Sequence, residues 1–399
     1  MAKQRPLRVA IAGGSIGGLT AAVLLRDLGC RVDVFERSAS ELQGRGAGIV
    51  VHEVSVRYLV ENRIADIDAL SVASYRHVHI DPHGRVLHDD LSAYRYTSWN
   101  TLYRNLLKDF GSEHYHLGEA VVGFRDKGSE VLVQTMTSEI ACDLAVFADG
   151  AASTGRAILQ PTASPRYAGY VAWRGTAREA TLSAGALRAL DGTLMYHWSG
   201  TSHILAYMIP GPDGAVRPGE RLVNFVWYRN VPPDRLTELM TDSMGVEHSL
   251  SLPPGSVSQH HLEEFRQAAR LLPPPLSELL LASPFPFIQK IVDVEVDRMA
   301  FGAVCLLGDA AFTARPHTAA GTAKAAADAW ALASSVAAQQ DAIATLADWE
   351  PAQLRLGRQL VARARELGER SQFRYAWRPD DPFQRFGLWV AGDSRMALK

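Results

Sequence analysis

The chain has 399 residues, of which 47% are apolar and 21% are charged, and its formal net charge is −2. This length exceeds what one compact core usually holds, so we expect two domains. The near balance of charges argues against nucleic acid as a partner, and no apolar run reaches the roughly 18 residues of a membrane span. Three cysteines and the lack of a signal-peptide pattern lead us to expect a cytoplasmic protein without disulfides.

The chain opens with a strand–helix–strand unit, predicted at Leu7–Ala12, Leu19–Leu28 and Arg31–Glu36. The glycine turn Gly13–Gly18 joins the first strand to the helix, which is the context of a dinucleotide-binding fingerprint. Free N–H groups at the start of the helix can bind a pyrophosphate, and Glu36 can accept both hydroxyls of a ribose. A dinucleotide is therefore the expected ligand of this unit.

The same turn matches a second motif, the nucleophile elbow of serine hydrolases, as Gly13-x-Ser15-x-Gly17. An elbow needs an oxyanion-hole loop that follows an earlier strand. Only 12 residues precede Gly13, which leaves no room for that strand. We therefore set the hydrolase interpretation aside.

The rest of the chain contains two kinds of pattern: strands and helices like those of the first unit, and short strands rich in aromatic residues. Further strands and helices are predicted at Tyr75–Ile80, Arg85–His88, Leu102–Phe110, Val131–Met136, Leu144–Ala148, Tyr167–Arg174, Leu194–Trp198, His203–Ile209, Leu222–Tyr228, Gly302–Leu307, Thr322–Ala338 and Ile343–Arg370. A second glycine-rich stretch lies at Gly44–Gly48. Short aromatic strands between 167 and 288 predict an antiparallel sheet inserted into the first domain.

The predicted fold is α/β (α+β overall): a Rossmann-like domain with an inserted antiparallel-sheet substrate domain and C-terminal helices. Its segments are a discontinuous cofactor domain at 1–73, 97–166 and 289–345, a substrate domain at 74–96 and 167–288, and a helical segment at 346–399.

Two distant segments specify the cofactor more closely: DLAVFADGAASTGR at 143–156 and GDAAFTARPHTAAGTAKAAAD at 308–328. With the glycine turn, they resemble the aromatic-hydroxylase family of flavoprotein monooxygenases, which contains 4-hydroxybenzoate hydroxylase. The resemblance implies FAD, with NADH or NADPH as a transient electron donor. Within this pattern Asp309 would bind the ribityl chain, Pro316 would lie at the flavin ring, and the N–H groups from Ala320 would face its pyrimidine end. The implied cofactor-binding residues are Gly13, Ser15, Ile16, Gly18, Glu36, Arg37, Gly48, Ile49, Asp149, Asp309, Pro316, Ala320, Gly321 and Thr322.

Four more segments, at 167–175, 203–211, 224–231 and 315–325, resemble the pyridine-hydroxylating branch of this family, as does Ser15 in the glycine turn. The implied reaction is hydroxylation of an electron-rich hydroxylated ring, of hydroxypyridine type, by NAD(P)H and O2 through a C4a-hydroperoxyflavin. The family also leads us to expect a homodimer.

Such hydroxylation needs a group that deprotonates or orients the ring hydroxyl. His203 and Tyr207 lie four residues apart on a predicted strand and so share a face, while His317 follows Pro316. We expect His203 as base or orienting group, with Tyr207 and His317 in support. The expected substrate-binding residues are Tyr170, Trp227 and Tyr228.

Three histidine pairs, 77/79, 114/116 and 260/261, are predicted to be exposed, without a carboxylate or cysteine that completes a metal site. Two other functions share the FAD fold: a flavin-dependent halogenase or reductase, and a non-catalytic FAD-binding redox protein. The Trp-x-Trp-x-Ile-Pro signature of tryptophan halogenases is missing, since its nearest equivalent, AYMIP at 206–210, has neither tryptophan.

Overall fold

A computed structural model describes residues 5–42, 47–91, 93–200, 202–339, 341–374, 376, 378 and 384–388. Its α-helices are α1 Ile16–Asp27, α2 Glu53–Glu61, α3 Ile67–Leu70, α4 Trp99–Phe110, α5 Thr154–Leu159, α6 Ala184–Leu190, α7 Pro233–Leu239, α8 Gln259–Ala269, α9 Pro274–Leu281, α10 Gly321–Ala338 and α11 Ala342–Gln372. Its strands are β1 Arg8–Ala12, β2 Arg31–Glu36, β3 Gly48–Val50, β4 Val72–Ala73, β5 Arg76–Ile80, β6 Val86–Leu91, β7 Arg95–Ser98, β8 Tyr115–Leu117, β9 Val121–Asp126, β10 Val131–Thr135, β11 Glu139–Cys142, β12 Leu144–Phe147, β13 Arg166–Arg178, β14 Thr193–Ser199, β15 Ser202–Ile209, β16 Leu222–Asn230, β17 Ser251–Leu252, β18 Phe287–Asp293, β19 Ala300–Phe301 and β20 Val304–Leu306.

A six-stranded sheet forms the centre of the first half of the fold, in the order β19-β20-β12-β1-β2-β8. All its pairings are parallel except that of β19 with β20. Its strands are short apolar runs buried between helices, as is typical of parallel sheets. This arrangement brings the carboxyl ends of β1, β2 and β12 to one edge, where open α/β sheets bind their ligands.

An eight-stranded sheet forms the second half, in the order β17-β18-β13-β16-β15-β14-β5-β6. It is mixed rather than purely antiparallel, because β5 and β14 pair in parallel. The strands that begin between 166 and 288 pair antiparallel with one another, as predicted. The parallel pairing joins β14 to β5, which comes from the earlier segment and is too far away in sequence for a hairpin connection.

The two faces of the eight-stranded sheet have different roles. One face packs under helices α6, α8 and α9, with Trp173, Phe225 and Trp227 in that core. The other face is covered by a cluster of tyrosines that includes Tyr170, Tyr196, Tyr207 and Tyr228. Neighbouring residues on a strand point to opposite faces, so each strand divides its side chains between these two environments.

Four of the predicted domain limits fall inside observed elements. The limits at 96/97, 166/167, 288/289 and 345/346 cut β7, β13, β18 and α11 in turn. Since β18 pairs with β13, we propose that the sheet domain extends to Asp293. No helix within the described ranges is long and apolar enough to cross a membrane.

Candidate active site

The glycine turn packs so tightly that three of its positions, Gly13, Gly14 and Gly18, have no room for a side chain. Gly13 has a positive φ of 100°, and a Cβ there would lie 2.5 Å from the carbonyl oxygen of Ala148. A Cβ on Gly14 would lie 2.2 Å from the hydroxyl oxygen of Tyr115. At Gly18 it would lie 2.0 Å from the Gly13 oxygen. The absence of a Cβ at these three glycines lets α1 begin close to the end of β1, as dinucleotide binding requires.

Polar groups surround this turn where a nucleotide would bind. Ser15 caps α1 in an extended conformation and makes no side-chain cap hydrogen bond, and the helix begins at Ile16. The buried Glu36 carboxylate accepts hydrogen bonds from the backbone N–H of Gly14 (3.0 Å) and of Ser38 (2.9 Å). An ionised carboxylate has about four acceptor positions, so two remain for hydroxyl groups. Arg37 beside it is exposed.

The Asp-Gly motif lies against the same turn, at the end of β12. The buried carboxylate of Asp149 accepts from the N–H of Thr154 at 2.7 Å through one oxygen. The other oxygen of Asp149 has no partner among the described residues, and burial raises the pKa of the Asp149 carboxyl group. Arg156 is buried rather than at the surface, and donates to the carbonyl oxygens of Ala163 and Ala310. It therefore ties the Asp-Gly loop to the Gly-Asp segment.

The segment from Asp309 to α10 supplies a second set of backbone donors. Pro316–Thr318 forms a 3-10 turn, Ala319 adopts the left-handed conformation with φ 50°, and α10 begins at Gly321. The first N–H groups of a helix have no partner within it. Here they lie at a cavity wall, where the helix dipole favours negative charge.

A cavity of about 210 Å³ connects this segment to the tyrosine face of the eight-stranded sheet. Its walls are formed by Gly48, Ile49, Val50, Arg174, Tyr196, His203, Leu205, Tyr207, Val226, Tyr228, Gln289, Asp309, Thr313, Ala314, Pro316, His317, Ala319, Ala320, Gly321, Thr322 and Phe386. Eleven of the twenty residues that were predicted for cofactor, catalysis and substrate thus line one cavity. The remainder of the second glycine-rich stretch, 44–46, lies outside the described residues.

His203, Tyr228 and His317 form a compact group of rings in this cavity. The ring centroids lie 4.5 Å apart for His203 and Tyr228, 4.6 Å for Tyr228 and His317, and 5.3 Å for the two histidines. Burial lowers the pKa of His203 to about 3 and lowers that of His317 well below its usual range. Both imidazoles are therefore neutral near pH 7.

Two buried neutral histidines predict that the protein is sensitive to acid. His79 is 2% exposed and His203 is 1% exposed, and burial lowers their pKa values to about 2 and about 3. The unfolded chain takes up these protons below about pH 6.5, whereas the folded chain does not. Each residue is therefore expected to remove about 1.4 kcal/mol of stability between pH 7.5 and 5.5. Urea unfolding at both pH values measures this, and His79→Phe should reduce the loss; an equal loss in that variant would contradict the assignment.

The structure changes the position expected for two substrate residues. Trp227 lies on the helix-covered face, where it packs against Phe265 and donates from its indole N–H to Ser202. It therefore does not line the candidate site, contrary to expectation. It is adjacent to Tyr228, and period two puts neighbours on opposite faces. Tyr170 does not line the cavity itself but contacts His317, which does: the Tyr170 hydroxyl lies 2.7 Å from Nε2 of His317.

Two of the residues that sequence reasoning missed at this site make polar contacts that bear on its chemistry. Arg174 lines the cavity, and it shares a face of β13 with Tyr170, so the same period-two rule would have found it. The other is Gln372, whose Nε2 lies 2.7 Å from Nδ1 of His203. Gln372 comes from the last residue of α11, 169 positions away, and no local pattern indicates this contact.

The histidine pairs also differ from prediction. His79 is buried and lies 3.0 Å from His77, measured between their Nε2 atoms. His261 is buried too, and Glu264 joins it and His260 in a group whose potential ligand atoms lie within 4.8 Å of one another. A carboxylate therefore lies beside this pair, as Asp33 lies beside His114 and His116, and the absence of a metal site stays a prediction. Nδ1 of His261 already contacts Glu264 at 2.9 Å, a contact that a metal ion would have to displace.

Comparison with known proteins identifies the family. A family model described as FAD binding domain-like matches residues 167–293. The 2,6-dihydroxypyridine 3-monooxygenase of Paenarthrobacter nicotinovorans is 37% identical over 385 residues, which are 96% of each chain. The chain belongs to the FAD-binding aromatic hydroxylase family. Like other members, this aromatic hydroxylase is a flavoprotein monooxygenase.

Solved structures agree with this placement of the aromatic hydroxylase. The structure of 2,6-dihydroxypyridine-3-hydroxylase from Arthrobacter nicotinovorans superposes with a TM-score of 0.92 at 36% identity, over 96% of this chain and 98% of the other. Klebsiella pneumoniae HpxO, solved with FAD and uric acid, has a TM-score of 0.75 at 23% identity, over 92% and 89% of the two chains, and shows the same fold.

The residues present fit FAD. The glycine turn, which has no room for a Cβ at Gly13, Gly14 or Gly18, would hold the pyrophosphate through backbone N–H groups at the start of α1, and Glu36 beside it would accept from the ribose. Asp149 has a buried oxygen without a described partner. At the other end, a Cβ on Gly321 would meet nothing within 4 Å, so this helix start leaves space open beside the cavity. FAD bound here supplies the redox chemistry that amino-acid side chains lack.

Proposed function

We propose that the chain hydroxylates an electron-rich, hydroxylated aromatic ring of hydroxypyridine type, with FAD as cofactor, NADH or NADPH as electron donor and O2 as co-substrate. One observation carries the proposal: the cradle built from Asp309, Pro316 and the start of α10 opens directly into the cavity lined by His203, Tyr207 and Tyr228. A ring bound against these aromatic side chains would therefore lie beside the cofactor. The P. nicotinovorans relative supports the substrate class by its name.

The wall residues suit the tasks that the reaction requires. His203 and His317 are neutral and buried, so we assign them to orienting the ring through hydrogen bonds. Tyr207 stacks on Tyr96 with ring centroids 4.1 Å apart, and burial raises its pKa to about 12, so it stays protonated as a donor. Tyr170 holds His317 in place. Enclosure by these rings excludes water, which would otherwise compete with the ring for the oxidising equivalent.

The proposal is tested with the FAD-loaded enzyme and 2,6-dihydroxypyridine. We expect this compound to stimulate oxidation of NADH or NADPH and to yield a product 16 mass units heavier. Unchanged substrate with full NAD(P)H consumption would instead favour a reductase, and no stimulation by any hydroxylated ring would favour a redox protein. Incubation with chloride or bromide tests the halogenase alternative by product mass.

His203→Ala should slow hydroxylation about 10- to 100-fold while FAD stays bound, because the ring loses an orienting hydrogen bond. The measurements are the initial rate of product formation and the product formed per NADH oxidised. His88→Ala, at the edge strand β6 of the same sheet, is the matched control and should behave as wild type. Unchanged coupling in His203→Ala would remove His203 from the reaction.

We also propose that the chain acts as a homodimer in the cytoplasm, and that the donor binds transiently. Size-exclusion chromatography with light scattering tests the first point, and NADH and NADPH titrations compare the donors.

A further inference from the structure

The cavity contains one cation that the proposed reaction has not yet used. Among the described residues that line it, Arg174 is the only lysine or arginine and Asp309 is the only carboxylate. The Arg174 guanidinium donates to Oε1 of Gln289 at 3.1 Å and to the carbonyl oxygen of Gly48 at 3.3 Å. Its Nε is buried with no partner.

No carboxylate in the described part of the chain lies within salt-bridge distance of Arg174. A half-buried guanidinium that has only neutral partners keeps a largely uncompensated charge, which favours an anion in the cavity. The charge reaches the cavity wall: it opposes the effect of burial on the pKa values of Tyr207 and Tyr228. Arg174 is therefore placed to bind a negatively charged ligand.

The orientation of the Gln372 amide determines which nitrogen of His203 carries the proton. Nε2 of Gln372 lies 3.4 Å from the Ser371 hydroxyl, which itself donates to the carbonyl oxygen of Gly368, and Oε1 of Gln372 has no partner among the described residues. In this orientation the NH2 group of Gln372 donates to Nδ1 of His203, which accepts. A neutral imidazole whose Nδ1 accepts carries its proton on Nε2.

We infer that the cavity takes its aromatic substrate as an oxyanion, bound by the Arg174 guanidinium and by Nε2–H of His203, with Gln372 as the positioning residue that holds this tautomer. The inference rests on the proposed function and deepens it. The ring is activated because the site selects its ionised form, and His203 donates a hydrogen bond to the ring oxygen instead of removing a proton from it.

The low basicity of His203 agrees with this role. Burial lowers its pKa to about 3, so transfer of a phenol-type proton to it is strongly unfavourable. A substrate bound as an oxyanion between the guanidinium and the N–H donor also has an electron-rich ring, because the ionised oxygen donates electron density into it. Electrophilic oxygen transfer needs such a ring.

Equilibrium binding to the oxidised, FAD-loaded enzyme tests the inference, read from the flavin absorbance between pH 5 and 9. The probes are 2,6-dihydroxypyridine and 2,6-dimethoxypyridine, which has no acidic hydroxyl. We expect the Kd of the first to fall up to tenfold per pH unit until the probe is ionised, and that of the second to be independent of pH. Arg174→Gln should raise the first Kd about 10- to 100-fold and leave the second unchanged, with Arg174→Lys between them.

Other titratable groups face Arg174 and His203 in the cavity: Tyr196, Tyr207, Tyr228, Asp309 and His317. They are all present in Arg174→Gln, so a pH effect that comes from them would persist in that variant. Arg229→Gln is the matched control, because Arg229 lies over Trp227 on the opposite face of the sheet and should leave both Kd values unchanged.

Gln372 has its own test. Gln372→Met removes the donor to Nδ1 and should weaken binding of the ionised probe about tenfold without affecting the dimethoxy probe, whereas Gln372→Asn should recover part of the loss. Equal weakening of both probes would show a merely structural role for Gln372 and contradict its positioning role.

The outcomes distinguish the proposed function from the anion site. Binding of 2,6-dihydroxypyridine that depends on pH and on Arg174, without any hydroxylation, would overturn the proposed function and leave the anion site standing. Hydroxylation with binding that is indifferent to pH or to Arg174→Gln would overturn the anion site alone. Failure of both probes to bind would overturn both.

Discussion

Gly321→Val is expected to abolish FAD binding while the protein still folds. A Cβ at this position meets no protein atom within 4 Å, so the substitution does not disturb the packing of the chain. It fills space beside the cavity at the first turn of α10, where the helix N–H groups would meet the flavin. We expect the purified variant to be colourless and its FAD Kd to rise at least about 100-fold, more than 2.7 kcal/mol, as for loss of shape and donor contacts together.

Gly185→Val is the matched control for this substitution. Gly185 also lies in the first turn of a helix, α6, but it is exposed and far in sequence from the cradle. This variant should stay yellow and active. The far-ultraviolet circular dichroism of both variants should equal that of wild type. Full FAD occupancy in Gly321→Val would show that the cofactor does not approach the start of α10.

Asp328→Ala is expected to destabilise the FAD-binding half by about 3–5 kcal/mol. Nζ of Lys324 lies 2.5 Å from the Asp328 carboxylate, and both side chains are at most 1% exposed. The same carboxylate oxygen accepts from the N–H of Gly308 at 2.9 Å. Removing the carboxylate leaves a buried ammonium without its counter-charge and a buried N–H without an acceptor.

The urea dependence of flavin release and of the near-ultraviolet circular dichroism measures this loss. Glu61→Ala is the control, because Glu61 pairs with Arg57 at the same i, i+4 spacing on an exposed helix face and should cost less than about 0.5 kcal/mol. The double variant Lys324→Met, Asp328→Leu should recover much of the stability, since two apolar side chains replace a desolvated pair. A loss below about 1 kcal/mol in Asp328→Ala would show that the pair is not charged.

Local patterns were sufficient for much of the fold. The glycine turn, Glu36 at the end of β2 and the long helix α10 lie where their spacing predicted, since tight turns and helix starts are determined by nearby residues. The parallel pairing of β5 with β14 was not predictable in this way. It depends on how two segments more than 100 residues apart meet across the sheet.

In the candidate site, too, local patterns predicted some residues, whereas others depend on tertiary contacts. His203 and Tyr207 were placed on one face by period two, and they do line one cavity. Trp227 was placed with Tyr228 without applying that period, and the structure separates them by a sheet. Gln372 was missed because its role comes from the end of α11 docking on β15, a tertiary contact with no counterpart in the local sequence.

The length of α11 has a consequence for how this protein can vary. The helix has 31 residues, so it spans about 46 Å between a start beside α10 and an end at His203. One inserted or deleted residue within it would rotate Gln372 by about 100° and shift it by about 1.5 Å along the axis. The length of α11 thus determines where Gln372 lies relative to His203. Insertions in surface loops should be tolerated, whereas inserting or deleting a single residue within α11 should remove the contact between Gln372 and His203.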